Sequence, residues 1–363
     1  MERQEHEIGV GLVGCGQLAQ TAHLEILGSL AGVRLAAIAE PDDDRRASAA
    51  ARVPGVRALS DYRHLLALDD VDAVVLSLPP AAHADAAIAA LQAGKHVYVE
   101  KPLAPDRDGA QAVLAAWQES GRVGMLGFNY RFNRLYREAK QVLDTGELGR
   151  PVAVRSIFTA ATRPMPGWKQ ARASGGGALL DLGSHHIDLV RYLLGEAVEE
   201  VDCTLHSSAT EDDTATLRLR LAGGTLVQSL FSTRSTDDDR FEIHCEGGRV
   251  MVDRGRGLAA QVSAGRAGSR RRDQLRHLVR AARGMRYGLE KHRAPGHEPS
   301  WRTALERFAS AVRGERSPSP DLTDGYRSLE VVLAAEESAR TGRTVAIPDS
   351  GPISAAPRAR GAR

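Results

Sequence analysis

Between residues 8 and 128, short apolar runs alternate with stretches of helical spacing, and that alternation limits the folds open to the chain. The runs are Ile8–Val13, Arg34–Ala39, Asp72–Leu78, His96–Val99 and Gly124–Phe128. Between them lie Gln17–Leu30, Asp42–Arg52, Ala81–Ala93 and Asp106–Ser120, rich in Ala, Leu and Gln. Strands that alternate with helices in this way predict an α/β unit built on a doubly wound parallel sheet. Pro41 and Pro105 precede helix starts, and Gly94 is placed to stop a helix.

After about residue 150 the pattern changes. Val152–Ala160, Val198–His206, Thr214–Leu221, Thr225–Thr233, Arg240–Cys245 and Arg249–Asp253 read as strands. Ala222-Gly223-Gly224 joins two of them and signals a hairpin. Thr214–Leu221 (TATLRLRL) alternates polar with apolar, so one face of this sheet meets water or a partner. The expectation is a second, α+β domain with a large, mostly antiparallel sheet, followed by helices over Trp301–Val312 and Tyr326–Thr341. A length of 363 residues also suggests two domains.

Composition excludes some classes of function. A net charge of +2 gives no overall pull toward nucleic acid or membrane. No run reaches the ~18 unbroken apolar residues that a spanning helix needs. The first residues, MERQEHEIGVGLVG, lack the apolar region of a signal peptide, so a cytoplasmic location is expected. Cys15, Cys203 and Cys245 are too few and too scattered for a disulfide framework or a zinc knuckle. Residues 262–296 stand apart, with ten Arg or Lys against Asp273 and Glu290. Such a stretch is a solvated insertion or an attractor for a phosphorylated group.

Gly14, Gly16 and Ala19 form a G-x-G-x-x-A turn that follows the first strand and opens the first helix. That is the setting a dinucleotide fingerprint requires. The first glycine permits the turn, and the second lets the backbone approach a pyrophosphate. The small third residue lets helix and strand pack. Phosphate oxygens would meet the N–H groups at Gln17 and Leu18. Glu40 ends the second strand, 24 residues beyond Gly16. A carboxylate there accepts from both ribose hydroxyls and favours NAD over NADP, although Arg45 and Arg46 stand close enough to accommodate a 2′-phosphate. Cys15, within the turn, reads as a small buried filler.

Two further segments carry chemistry. Glu100-Lys101-Pro102 follows the apolar run His96–Val99, which puts an amine at the carboxyl end of a buried strand, where open α/β sheets bind ligands. Residues 175–195, GGGALLDLGSHHIDLVRYLLG, place Asp181, His185 and Asp188 on one helical face. Ser184 is a candidate N-cap there, and the glycines would let backbone approach a ligand. Taking a hydride from a carbinol carbon also requires the hydroxyl proton to leave. His185 suits that transfer at neutral pH, with Asp181 or Asp188 fixing its tautomer. Lys101, beside a cationic nicotinamide, should have a lowered pKa. His186 falls one step off this face. A metal bound by His185, His186, Asp181 and Asp188 would need adjacent histidines to converge, which a helix disfavours, so no metal is expected.

Together these segments resemble the glucose–fructose oxidoreductase / inositol dehydrogenase / MocA family. VGLVGCGQLAQTAH, AVVLSLPPAAHADAAIAALQAGKHVYVEKPLA, FNYRFN, GELGRPVAVRS, GGGALLDLGSHHIDLVRYLLG and, more weakly, DGYRSLEVVLAAEESARTGRTVAI run in family order. The resemblance implies an NAD(P)-binding Rossmann domain over residues 1–129 and a substrate-binding and oligomerisation domain over 130–347, while the tail at 348–363, Pro, Ser, Ala and Arg without periodicity, is expected to be disordered. It also implies a homodimer or homotetramer formed through the open face of the second sheet. Lys101, Asp181 and His185 match the family's catalytic trio, and Asp188 matches a substrate-anchoring acid. Asn129, Tyr130 and Arg131 match the segment lining the cleft. Pro79 and His83 match the loop beside the adenosine and nicotinamide, and with Gly14, Gly16, Gln17, Leu18, Glu40, Glu100 and Lys101 they are the candidate cofactor-binding residues. Leu78 and Pro80 stand where Thr and Asn are more usual, leaving cofactor contacts at Leu78 to backbone groups.

The function expected from residues and resemblance together is NAD(P)-linked interconversion of a secondary hydroxyl and a ketone. The substrate would be a sugar, aminosugar, cyclitol or nucleotide-linked sugar. Two alternatives from other classes are a glycosidase working through transient oxidation by NAD, and a non-catalytic sugar or dinucleotide sensor. Paired acid–base groups argue against the sensor.

Overall fold

The computed structural model describes residues 7–264, 282 and 284–348. Most of the basic stretch and nearly all of the C-terminal tail lie outside the described residues. The chain forms two compact units. Among the described residues, unit 1 takes 7–129 and Pro295–Tyr326, and unit 2 takes 130–264, 282, 284–294 and 327–348.

Unit 1 holds a six-stranded parallel sheet in the order β3-β2-β1-β4-β5-β6. Its strands are β1 (Ile8–Val13), β2 (Val33–Ala39), β3 (Arg57–Leu59), β4 (Ala73–Leu76), β5 (His96–Val99) and β6 (Gly124–Leu126). β1, β4 and most of β2 and β5 are buried, which is why they read as continuous apolar runs rather than alternating ones. The strand order reverses between β1 and β4, and ligands bind at such a switch point. Helix starts follow the chemistry expected. Asp42 and Asp106 each accept a backbone N–H as N-caps, at 2.9 and 2.8 Å.

Part of unit 1 returns late in the chain. Trp301, at the start of the helix Ser300–Val312, packs with Thr21 around Gly296. Phe308 meets Tyr98 of β5 edge-on, with ring centroids 5.7 Å apart. The backbone N–H of Leu126 donates to the Pro320 carbonyl.

Unit 2 is built on an eight-stranded sheet in the order β13-β12-β11-β7-β10-β9-β8-β14. The strands are β7 (Pro151–Ala161), β8 (Val198–His206), β9 (Thr214–Leu221), β10 (Leu226–Ser235), β11 (Asp238–Cys245), β12 (Gly248–Asp253), β13 (Gln261–Ala264) and β14 (Val345–Ala346). All neighbours are antiparallel except β10 with β7. In β9, Ala215, Leu217, Leu219 and Leu221 are buried while Thr216, Arg218 and Arg220 are exposed, as the alternation predicts. The short strands β3, β13 and β14 carry too few residues to show a period. The helix Ser184–Leu194 lies on the inner side, with Gly183 against Phe231 of β10. Among the described residues no helix is long and apolar enough to cross a membrane.

His96, at the start of β5, accepts the Val123 N–H on Nδ1 at 2.9 Å. Burial, helped by the Arg122 charge, lowers its pKa from 6.5 to about 4. A histidine lowered on folding contributes stability above its unfolded pKa and loses it as the pH falls toward its folded one. Unfolding followed by denaturant titration is therefore expected to show stability declining from about pH 6.5 to about pH 4. His96→Asn, whose side-chain oxygen can take the same N–H, should decline less over that window. An equal decline in both proteins would contradict the assignment.

Candidate active site

In unit 1 the carboxyl ends of β1, β2, β4 and β5 share one edge of the sheet, because all are parallel. Gly14, Glu40, Leu78 and Lys101 follow those ends. Gly14 has φ +89°, and a Cβ there would stand 2.4 Å from the Ser77 carbonyl oxygen. Only glycine fits. Gly16 is half-buried, and a Cβ on it would meet nothing within 4 Å, so open space lies beside the turn. The helical run opens at Gln17, winds as a π turn over Ala19–His23 and continues as α-helix over Leu24–Leu27. Its first N–H groups have no partner within the helix, and they suit a pyrophosphate. Open space over Gly16 and this helix start fit the dinucleotide that the motif implies.

Glu40 is buried, and both carboxylate oxygens are engaged. Oε2 accepts from the Cys15 N–H at 2.8 Å, and Oε1 accepts from the Asp42 N–H at 3.1 Å and Arg45 Nη2 at 2.7 Å. Burial raises its pKa, but Arg45 and the backbone donors more than offset that and hold it below the usual carboxylate range. Glu40 thus braces the glycine turn, and Arg45 offsets its charge. Arg46 turns to the Glu40 carbonyl oxygen at 2.8 Å. Cys15 is fully buried, and burial pushes its thiol up to about 12, so it is a filler rather than a nucleophile.

The lysine turn is held on both sides. Glu100 Oε1 lies 2.9 Å from Nε2 of His23, and both side chains are buried. His23 belongs to the helical run that the glycine turn opens, so this pair ties that run to the residue preceding Lys101. His83, expected beside the cofactor, is itself buried. Its Nδ1 is 2.6 Å from the Pro102 carbonyl oxygen and its Nε2 is 2.9 Å from that of Leu78. Burial lowers its pKa, against the pull of the two carbonyls. His83 therefore clips the loop after β4 to the Lys101–Pro102 turn, whose peptide bond is cis. Lys101 and Leu78 are half-buried and Pro79 is exposed. Asn129 is buried and donates from Nδ2 to Ser300 Oγ at 2.8 Å.

Unit 2 brings Asp181, His185 and Asp188 onto one helical run. A π turn over Leu179–Gly183 leads straight into the helix Ser184–Leu194. Ser184 is not the N-cap expected of it. Its backbone is helical (φ −55°, ψ −35°) and Asp181 already lies inside the run. A serine caps only where its own backbone leaves the helix, and the π turn removes that break. The glycines before it also serve the chain itself. A Cβ on Gly176 would stand 2.4 Å from the Lys169 carbonyl oxygen, so the room goes to the Lys169–Ala171 turn instead of a ligand.

That turn delivers Lys169 to Asp181, with Nζ 2.8 Å from Oδ2. Asp188 is buried and takes a bidentate pair from Arg131, Nε to Oδ2 at 2.8 Å and Nη2 to Oδ1 at 2.5 Å. His185 stacks on Tyr130, with centroids 4.3 Å apart and planes 17° apart. His186 points elsewhere, into Phe158, Phe231 and Phe241, with Nε2 3.2 Å from Asp239. Among the described residues no group of three or more His, Cys, Asp or Glu is placed to hold a metal ion.

His23, Lys169 and Asp239 were not singled out in the sequence. His23 lies inside the fingerprint run, but its partner Glu100 is 77 residues away and nothing local announces it. Lys169 and Asp239 carried no local signal, since only tertiary folding brings them to Asp181 and His186.

Comparison with known proteins agrees with these features. Residues 8–128 match the family model for an oxidoreductase family with an NAD-binding Rossmann fold, and residues 136–251 match the GFO/IDH/MocA C-terminal domain. The chain is 31% identical over 271 residues to inositol 2-dehydrogenase 4 of Saccharopolyspora erythraea, covering 72% of this chain and 78% of that protein. It is 27% identical to the myo-inositol 2-dehydrogenase of Thermotoga maritima over 93% of this chain and 97% of the relative. Among solved structures, the WlbA dehydrogenase from Bordetella pertussis, in complex with NADH and UDP-GlcNAcA, superposes with a TM-score of 0.82 at 25% identity, covering 94% and 98% of the two chains. The glycine turn, the braced lysine turn and the Asp181–His185 run thus sit in a chain that belongs to the GFO/IDH/MocA family of NAD-binding oxidoreductases.

Proposed function

We propose that this protein is a dehydrogenase that interconverts a secondary hydroxyl and a ketone on a sugar or cyclitol. The observation that carries the reading is the position of Lys101. It follows β5 on the same sheet edge as the glycine turn, held by His23–Glu100 on one side and by His83 on the other. A nicotinamide bound at this edge would supply hydride transfer. The chain's own residues handle the oxygen and its proton. In the oxidative direction His185 takes the hydroxyl proton, and the Lys101 ammonium stabilises the forming carbonyl oxygen. Asp181 holds charge beside His185, and Tyr130 holds the plane of the imidazole. Glu40 favours NAD, with NADP tolerated to the extent that Arg45 offsets its charge.

Two acids of the unit 2 run are paired with cations, Asp181 with Lys169 and Asp188 with Arg131. Balanced pairs suit a neutral polyol better than a carboxylate- or phosphate-bearing sugar. The relatives named for inositol support the same choice.

Purified protein assayed with NAD against cyclitols, free sugars, uronates and nucleotide sugars is expected to release free NADH with a neutral polyol. Lys101→Met should keep NADH affinity within about threefold and lower kcat by about 100-fold or more, the range of a lost donor to a developing oxyanion. Wild-type turnover in that variant would remove Lys101 from the chemistry.

The outer face of the unit 2 sheet supports assembly with a second copy. Leu226 and Leu230 of β10 are apolar yet 58% and 37% exposed. Arg218–Asp202 and Arg220–Glu200 pair across neighbouring strands on the same sheet. Light scattering at micromolar concentration should give a multiple of the 39.0 kDa chain mass, and Leu226→Glu should lower it. A single-chain mass for the unmodified protein would refute the assembly.

A further inference from the structure

Arg254 follows β12 and lies far in sequence from every residue assigned a role above. Its Nε donates to Asp239 Oδ2 at 2.6 Å, and its backbone N–H donates to the Asp239 carbonyl at 3.0 Å. Asp239 is buried, and its other oxygen, Oδ1, takes the Tyr136 hydroxyl and meets His186 Nε2, each at 3.2 Å. The guanidinium is therefore fixed in place by a carboxylate that is itself fixed. Its carbon sits 4.4 Å from the centroid of the Tyr130 ring and 5.8 Å from that of Phe158. The same Tyr130 ring stacks on the His185 imidazole at 4.3 Å. Guanidinium, phenol and imidazole thus succeed one another in contact, and the last is the group read as the proton acceptor.

We propose that Arg254 is a positioning residue for the reaction: anchored by Asp239, it fixes the Tyr130 ring and through it the plane of His185. Arg254 packs over the Tyr130 ring that stacks on His185, so its effect is on orientation. A planar cation over an aromatic face is the interaction that arginine makes best, and lysine replaces it only in part. The inference rests on the role given to His185 above.

Arg254→Met combined with Asp239→Asn removes the cation without leaving a buried uncompensated carboxylate. In the full-length protein with isotope-labelled histidine, the ring protons of His185, assigned by their loss in His185→Asn, are expected to lie upfield through the Tyr130 ring current. The double variant should move them toward unstacked values. Its kcat with the polyol that the substrate screen identifies should fall by about 10-fold or more while KM stays within about threefold, as for a misoriented group. Arg254→Lys should recover part of both effects, and it carries the readout if circular dichroism shows the double variant unfolded. Unchanged His185 resonances and unchanged kcat in a folded variant would overturn the proposal. A protein with no dehydrogenase turnover, whose His185 resonances nonetheless shift in the variant, would leave the positioning claim standing and refute the assigned reaction.

Discussion

The Ser77 carbonyl lies so close above Gly14 that no side chain fits between them, and the geometry of unit 1 follows from that constraint. The Ser77 N–H donates to the Val13 carbonyl at 2.8 Å and holds the end of β4 against the end of β1, at the point where the strand order reverses. Once the turn takes this form, the next helix starts beside open space at Gly16, and its N–H groups face the direction an anion would come from. Glu40 then reaches back from β2 to the Cys15 N–H, and His23 reaches from the same helical run to Glu100. Each contact is a buried polar group satisfied by another part of the sheet edge, so the loss of one leaves a partner unsatisfied. Through this chain of contacts the glycine turn and the lysine turn become one construction.

Unit 2 solves a different problem. It must hold carboxylates and imidazoles in an apolar setting without leaving charge uncompensated. Asp188 is bidentate to Arg131, Asp181 faces Lys169, and Asp239 gathers Arg254, His186 and Tyr136. Burial by itself would raise the Asp239 pKa, yet Arg254 and His186 hold the group well below the carboxylate range. Pairs of this kind cost dearly to break singly. His185, on the same run as Asp181 and Asp188, stacks on the Tyr130 ring.

Much of the fold was legible because its strands leave local marks, unbroken apolar runs in unit 1 and alternation in unit 2. Ile8–Val13, His96–Val99, Val198–His206 and Thr214–Leu221 fall where the residues alone put them. The glycine turn was legible for the same reason, since strand, turn and helix each leave a local mark. What escaped were contacts whose two halves lie far apart in the chain. Nothing near Lys169 announces Asp181, and nothing near Asp239 announces His186 or Arg254. The Ser184 cap misled because serine before an apolar helical pattern is a true cap signal, and only the π turn upstream cancels it. The glycines at 175–177 were read as room for a ligand, and the room at Gly176 is taken by the chain's own carbonyl at Lys169. Spacing shows that room exists and is silent about what fills it.

The central claim is that unit 1 holds a nucleotide site already built, running from the glycine turn to Lys101. A crystal structure of the protein soaked with NADH tests it directly. The account predicts pyrophosphate oxygens within about 3.2 Å of the N–H groups at Gly16, Gln17 or Leu18, and the nicotinamide ring lying over the Lys101–Pro102 turn. A nucleotide seated away from Gly16, or a nicotinamide that leaves Lys101 more than about two hydrogen-bond lengths distant, would contradict it.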